Sequence, residues 1–205
     1  MDQATRSGWR IALAAAVLAS ASTSAAAQVA APAAAPPLDV APAGGEAASG
    51  WRPQGYFIEW GRSRRDTDIA SLGVRWPWRW QTTAWGGRFT AATELSLGLW
   101  RAETPDGRES QGHVALVPLL RWRGAEGASP WFVEGGIGLS LHQRRYRAQD
   151  ITMSTRWNFY DTLAVGRTFA SGDELSLRAL HVSNAGIRKP NPGADIVLLR
   201  WARPF

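Results

Sequence analysis

The sequence predicts an all-β fold, an eight-stranded antiparallel transmembrane β-barrel, on three observations. Beyond Trp51 the apolar residues alternate with polar ones and do not recur at helical spacings of three and four. Turn signals punctuate this alternation at short, regular intervals. The segments between them number eight, each about as long as the roughly 9–11 residues that a tilted strand needs to cross an outer membrane.

The elements follow in order. Arg6 and Arg10 precede an apolar run from Ile11 to Ala19, and small residues continue through Ala25, Ala26 and Ala27. This is the three-part pattern of a secretory signal peptide over residues 1–27, cleaved near Ala27–Gln28. Residues 28–50 are dominated by Ala, Pro and Gly, show no apolar period, and are expected to form a flexible lead-in. Residues 51–205 hold the barrel, with strands expected near 54–63, 67–76, 87–101, 111–123, 131–142, 157–169, 173–184 and 194–205. On the off-face of these strands stand Arg, Glu, Ser, Thr and Gly, which suits the packed polar interior of a small barrel. In 174–184, Leu175, Leu177 and Ala179 share one face, while Glu174, Ser176 and Arg178 share the other. Gly135, Gly136 and Gly138 mark places where a narrow barrel curves. The chain closes on Phe205, and a terminal Phe on an alternating strand resembles the C-terminal signal by which outer-membrane barrels are recognised for assembly.

Composition narrows the chemistry. There are no cysteines, which excludes disulfides, thiol catalysis and Cys-ligated metals. The formal charge is +6, yet Lys189 is the sole lysine and every other basic residue is arginine. Such an excess favours partners bearing phosphate or carboxylate, nucleic acid or an anionic membrane surface among them. The 12 Trp recur near the ends of apolar stretches, as in interfacial aromatic belts.

A barrel that starts and ends in the periplasm has its odd-numbered connections outside. These are 62–68, 102–110, 143–156 and 185–193, while 77–86, 124–130 and 170–172 are assigned to the periplasm. The outer set carries Arg62, Arg64, Arg65, Arg144, Arg145, Arg147, Arg156, Arg188 and Lys189, a distribution that favours an anionic outer surface over nucleic acid.

The last hairpin carries the candidate chemistry. His181 and Ser183 continue the face of Leu175, Leu177 and Ala179, and on the return strand Asp195 shares its face with Val197, Leu199 and Trp201. A hairpin centred near Arg188 sets His181 across from Asp195, give or take a register step of two. If the apolar faces touch lipid, all three polar residues point outward from the wall. A hydroxyl and a carboxylate on either side of an imidazole is the order a Ser–His–acid triad needs. The competing account is a polar turn at a hairpin rim. His113 and His142 have no such partner pattern and are expected to be structural or interfacial.

The stretch His181-Val-Ser183-Asn184-Ala-Gly186, followed by Lys189-Pro-Asn191-Pro-Gly193, resembles the signature of the PagL-type lipid A 3-O-deacylases. These are eight-stranded outer-membrane barrels that remove the acyl chain ester-linked at the 3-position of lipid A. The likeness covers the motif, and the barrel layout fits the whole mature domain. It implies Ser183 as nucleophile and His181 as general base and then acid. The family's orienting acid, usually a glutamate, falls on Asp195, one methylene shorter. The resemblance further implies Asn191 (side chain) and Gly186 (backbone N–H) as oxyanion donors, with Asn184 positioning the loop. Lipid A of lipopolysaccharide is the implied substrate and the outer membrane the setting, with the site facing the outer leaflet. No cofactor, metal or nucleic-acid partner is expected, and a homodimer is possible. Two other functions fit the barrel: a non-enzymatic structural or adhesive protein, and a lipid A acyltransferase.

Overall fold

The computed structural model describes residues 52–205, so the expected signal peptide and Ala/Pro-rich lead-in lie outside the described residues. Eight antiparallel strands close on themselves. They are β1 (Gly55–Ser63), β2 (Thr67–Ala84), β3 (Gly87–Thr104), β4 (Gly107–Gly124), β5 (Trp131–His142), β8 (Trp157–Thr168), β9 (Glu174–Ser183) and β10 (Ala194–Pro204). Between β5 and β8 a two-residue hairpin, β6 (Arg147–Ala148) with β7 (Ile151–Thr152), stands apart from the wall. The first and last strands meet from Gly55↔Pro204 to Ser63↔Ile196, which closes the eight-stranded sheet into a barrel.

β1, β5, β8, β9 and β10 fall within a residue of their expected bounds, and β2, β3 and β4 are longer. The segment 77–84, expected as part of a connection, continues β2 through a bulge between Pro77 and Gln81. Proline cannot donate to the ladder, so the irregularity sits where the sequence removes an N–H. The connection shrinks to Trp85 and Gly86, both at positive φ, the geometry of a tight hairpin turn. Likewise most of 102–110 is strand, turning at Pro105 and Asp106. Eighteen residues at about 3.4 Å each extend roughly 60 Å, well past the ~25 Å apolar band even when tilted, so these strands project beyond the membrane.

Parity sorts the wall as expected. Outward positions include Ile58, Leu72, Leu97, Leu99, Leu116, Ile137, Leu139, Leu163, Val165, Leu177, Val197 and Leu199, all exposed. A continuous apolar surface drawn from every strand has no counterpart on water-soluble proteins. Aromatics gather at one end of it. Tyr56 packs against both Trp201 and Phe205 with centroids 5.5 Å apart, and Trp78, Trp80, Trp85, Trp131 and Phe169 lie exposed on the same side. This is the turn end, with connections 85–86, 125–130 and 169–173. The opposite, loop end carries 64–66, 105–106, 143–156 and 184–193.

The interior is stratified. Toward the turn end, Glu59, Glu94, Glu134 and Glu174 interlock with Arg75, Arg121, Arg178 and Arg200. Glu94 accepts from Arg200 at 2.5 and 2.8 Å and from Arg75 at 2.8 Å, while Glu134 accepts from Arg178 and Arg75, each at 2.8 Å, and from Arg121 at 2.7 Å. The Arg200 guanidinium also lies 3.6 Å over the Phe57 ring. Toward the loop end the filling becomes apolar and aromatic: Ile69, Trp100, Tyr160, Leu180, Val182 and Ile196. His113 and His142 stack there at 5.5 Å, both edge-on to Trp100, which makes them structural members of the core.

The connection 143–156 folds inward as a plug. Tyr146, Ala148 and Met153 are buried in that same core, and Tyr146 Oη shares a 2.7 Å hydrogen bond with Thr67 Oγ1. Burial pushes the Tyr146 phenol above its ordinary pKa, so it serves as a neutral anchor. The charged lower interior tests directly. Glu94→Ala leaves Arg75, Arg178 and Arg200 short of a partner, and losing one member of a buried ionic cluster costs about 3–5 kcal/mol. Urea unfolding in detergent micelles should show a lowered midpoint of that size, and Asp68→Ala at the exposed rim should show almost none.

Candidate active site

The β9–β10 ladder sets the site. Its register runs from Ala202↔Glu174 to Ala194↔Val182 with no slip, and it places His181 directly opposite Asp195. Both belong to the outward set, since their neighbours Leu180, Val182 and Ile196 are buried inside. His181 Nδ1 and Asp195 Oδ1 are 2.6 Å apart, a short contact of the charge-assisted kind. The shorter aspartate therefore reaches the imidazole across the strand pair. With Nδ1–H given to Asp195, the lone pair resides on Nε2, which faces away from the carboxylate. Gly193, at positive φ, abuts this ring: a Cβ there would lie 3.0 Å from His181 Cε1. Only a residue without a side chain leaves the imidazole where it stands.

Ser183 lies two residues on, outward by the same parity, yet only 8% exposed. Its Oγ takes a long, 3.4 Å hydrogen bond from the Ala185 N–H. No hydrogen bond joins it to His181 among the described residues, so the structure unites the imidazole and carboxylate and leaves the hydroxyl next to them.

Asn184, fully buried, organises the connection. Its Nδ2 donates to Ser154 Oγ at 3.0 Å, Thr155 Oγ1 at 3.1 Å and Arg188 O at 2.8 Å, while Oδ1 accepts from Gly186 N at 3.0 Å and Arg188 N at 3.4 Å. This self-bonded turn corrects one expectation. The Gly186 N–H is already committed to Asn184 and is not a free donor. Asn191 differs: its Oδ1 accepts the Asn184 N–H at 3.0 Å, which orients the amide, and among the described residues its Nδ2 donates no hydrogen bond.

Ser154 and Thr155 escaped the sequence reading. They lie in another connection, 30 and 29 residues from Asn184, and nothing in their local pattern distinguishes them from ordinary loop residues. Ser154 also bonds Arg188 O through its hydroxyl at 2.9 Å and Pro190 O through its N–H at 3.0 Å, so the plug and the β9–β10 connection form one unit.

The cations of the loop end divide into two groups. Arg62 pairs with Asp66 and Asp68, and Arg147 with Asp106 and Glu109. The Asp106 hydrogen bond holds the Arg147 guanidinium above its ordinary pKa. Arg64, Arg144, Arg145, Arg188 and Lys189 are exposed, and no carboxylate lies within ion-pair distance of them among the described residues.

An apolar exterior, an interior packed with charged side chains toward one end and aromatic and aliphatic ones toward the other, and an imidazole–carboxylate pair two residues from a serine on the outer face of β9 define a class: a membrane-spanning β-barrel with a polar cluster on its lipid face. The chain belongs to the lipid A 3-O-deacylase (PagL) family, whose model matches residues 69–204. It is 34% identical over 122 residues to the lipid A deacylase PagL of Bordetella bronchiseptica, covering 58% of this chain and 65% of that protein, just under two thirds of its length. It is 30% identical over 137 residues to the lipid A deacylase PagL of Pseudomonas aeruginosa, covering 65% of this chain and 76% of that one. A crystal structure of the outer membrane enzyme PagL superposes with a TM-score of 0.64 at 24% identity, over 74% of this chain and 99% of that one, and shares the fold. The protein is an outer-membrane β-barrel.

The Asn184 turn makes a prediction of its own. Asn184→Ala strands several donors and acceptors, at about 1–3 kcal/mol for each buried one. Trypsin should then cut faster at Arg144, Arg145 and Arg188, while the barrel keeps its heat-dependent gel mobility.

Proposed function

We propose that this chain is a lipid A 3-O-deacylase acting by a serine esterase mechanism on the ester-linked 3-position acyl chain of lipopolysaccharide. The observation that carries this reading is the outward-facing His181–Asp195 pair, 2.6 Å apart, with Ser183 two residues along the same face. A polar pair on a lipid-contacting wall is costly unless it does something, and an esterase whose substrate lies in the membrane requires that placement. The loop end faces the outer leaflet, where its unpaired cations meet the phosphates of lipopolysaccharide.

Below the His181 row the wall offers the leaving acyl chain an apolar track. Ala179 is flanked by Val197 and Leu163, and Leu177 by Leu199 and Val165. With the chain along this track, its ester lies at the level of Ser183. His181 Nε2 takes the Ser183 proton as Oγ attacks the ester carbonyl, and Asp195 holds the resulting imidazolium through Nδ1–H. Asn191 Nδ2 supplies the oxyanion donor. Gly186 N–H can join it only if the Asn184 turn opens. Collapse of the tetrahedral intermediate expels the 3-hydroxyl of the sugar, which takes its proton from His181, and leaves an acyl-serine. Water activated by the same imidazole then releases the fatty acid.

Mass spectrometry of lipid A from cells with and without the protein tests this reading. Loss of one 3-linked acyl chain, restored to full length by Ser183→Ala, is the expected outcome. A gained chain would indicate an acyltransferase and no change a passive barrel. Asp195→Asn, which removes the imidazole's anionic anchor, should lower kcat by about 10⁴-fold. Asn191→Ala should cost about 10²–10³-fold in kcat, the usual loss for one oxyanion donor.

A further inference from the structure

The turn-end half of the wall holds a recess on its lipid side. A cavity of about 460 Å³ lies across β2, β3, β4 and β5, lined by Trp78, Trp80, Ala91, Pro118, Leu120 and Gly135. The sequence builds it with two prolines and a glycine. Pro77 ends the regular pairing of β2, and three residues, Trp78, Arg79 and Trp80, then stand opposite the single residue Ala91. Both indoles of this arch line the cavity beside Ala91, which shares the outward face with its partner Leu120 yet is only 7% exposed. Pro118 leaves β4 without an N–H, and the β4–β5 ladder lapses between Leu116↔Leu139 and Leu119↔Gly136. On β5 the outward position across from Leu120 is Gly135, so no side chain fills the recess from that strand.

Lipid tails wet the whole wall, so apolar character alone distinguishes no position on it. Shape and charge distinguish this one. The recess has the size of a small-molecule site, for which roughly 300–1,000 Å³ is usual. The Trp78 ring that borders it is fixed by a 3.0 Å hydrogen bond from Nε1 to Thr93 Oγ1. Between the two tryptophans Arg79 is exposed, and among the described residues it has neither a carboxylate within ion-pair distance nor an aromatic ring beneath it. Arg167, in the same aromatic belt, differs: its guanidinium lies 5.7 Å over Trp131 and 5.4 Å over Phe169. A cation without an internal partner, flanked by interfacial tryptophans and set beside an apolar slot, complements a phosphate that carries a hydrocarbon chain.

We propose that this recess binds one glycerophospholipid of the leaflet at the turn end, its phosphate on Arg79 and an acyl chain against Trp78, Trp80, Leu120 and Gly135. The leaflet follows from the orientation given above: with the loop end toward lipopolysaccharide, the aromatic turn end lies among phospholipids. The site is separate from His181 and Ser183, which stand at the other end of the wall on β9, and it requires no deacylase activity. The bound lipid braces the β2 bulge and the interrupted β4–β5 ladder, where the wall's own pairing lapses.

Photocrosslinking of the purified barrel in dodecylmaltoside micelles tests this. The probe is a phosphatidylglycerol with a diazirine in one acyl chain, and its adducts are mapped by peptide mass spectrometry. The expected adducts concentrate on 78–80, Ala91, 118–120 and Gly135. Unlabelled phosphatidylglycerol should displace the probe, and diacylglycerol, which lacks the phosphate, should do so poorly. Arg79→Glu should lower labelling at these positions by about fivefold, the worth of one interfacial cation, and Arg79→Lys should keep most of it. Leu120→Trp, at an exposed lining position, should fill the recess and abolish the adducts. Both positions are exposed, so the variants should fold and keep their heat-dependent gel mobility. Adducts spread evenly around the wall, unchanged labelling in Arg79→Glu, or equal competition by diacylglycerol would each overturn the proposal. So would stronger competition by lipid A, which would assign the recess to the other leaflet's lipid, or cross-links from it to a second copy of the chain. The competition is read in the wild-type protein and decides the question even if a variant misfolds. Adduct formation needs no turnover, so a barrel that deacylates nothing leaves this result standing.

Discussion

The hydrogen-bond register of β9 against its two neighbours is the constraint on which the site depends. A strand presents alternate residues to opposite faces, so a slip of one residue would turn His181 into the core and bring Leu180 to the lipid. The charged interior holds that register. Arg178 on β9 reaches Glu134 on β5 at 2.8 Å, and Arg200 on β10 reaches Glu94 on β3 at 2.5 Å. Either strand could slide only by withdrawing a buried guanidinium from its carboxylates. The ionic cluster therefore specifies an alignment in addition to filling the lumen, and the outward row of His181 and Asp195 is fixed from within.

The two halves of the barrel divide the work. The turn-end half is charged, interlocked and girdled outside by aromatics, which suits anchorage. The loop-end half is packed with aromatic and aliphatic side chains and sealed by the 143–156 plug. That plug does more than close the mouth. Through Ser154 and Thr155 it grips Asn184, and Asn184 in turn bonds Asn191, whose Nδ2 donates no hydrogen bond among the described residues. Core packing at Tyr146 and Met153 is thereby tied to the placement of a polar group on the outer surface. A polar row on a membrane wall has no cleft to shape it, and this internal linkage supplies the rigidity a cleft would otherwise provide.

Much of this was legible in the chain. Alternation predicted all eight wall strands, because lipid outside and a packed lumen inside impose period two on every one of them. It also predicted the His181–Asp195 pairing, since a hairpin's midpoint fixes which residues face each other. The lengths of β2 to β4 were harder to read. Pro77, Trp78 and Trp80 look like a connection, whereas a bulge lets the ladder absorb the missing N–H and continue to Ala84. The motif named Gly186 as a donor, but only the folded turn shows its N–H spent on Asn184.

The sequence by itself determined the barrel, its even strand count, the outward parity of His181, Ser183 and Asp195, and the family motif, because each is a local pattern or a short-range pairing along one hairpin. Tertiary structure decided what depends on residues far apart in the chain. It gathered four glutamates among arginines from β2 to β10, and brought Ser154 and Thr155 to Asn184. Those neighbours exist only once the cylinder has closed, for closure converts a linear order of strands into a ring of contacts that no local pattern encodes.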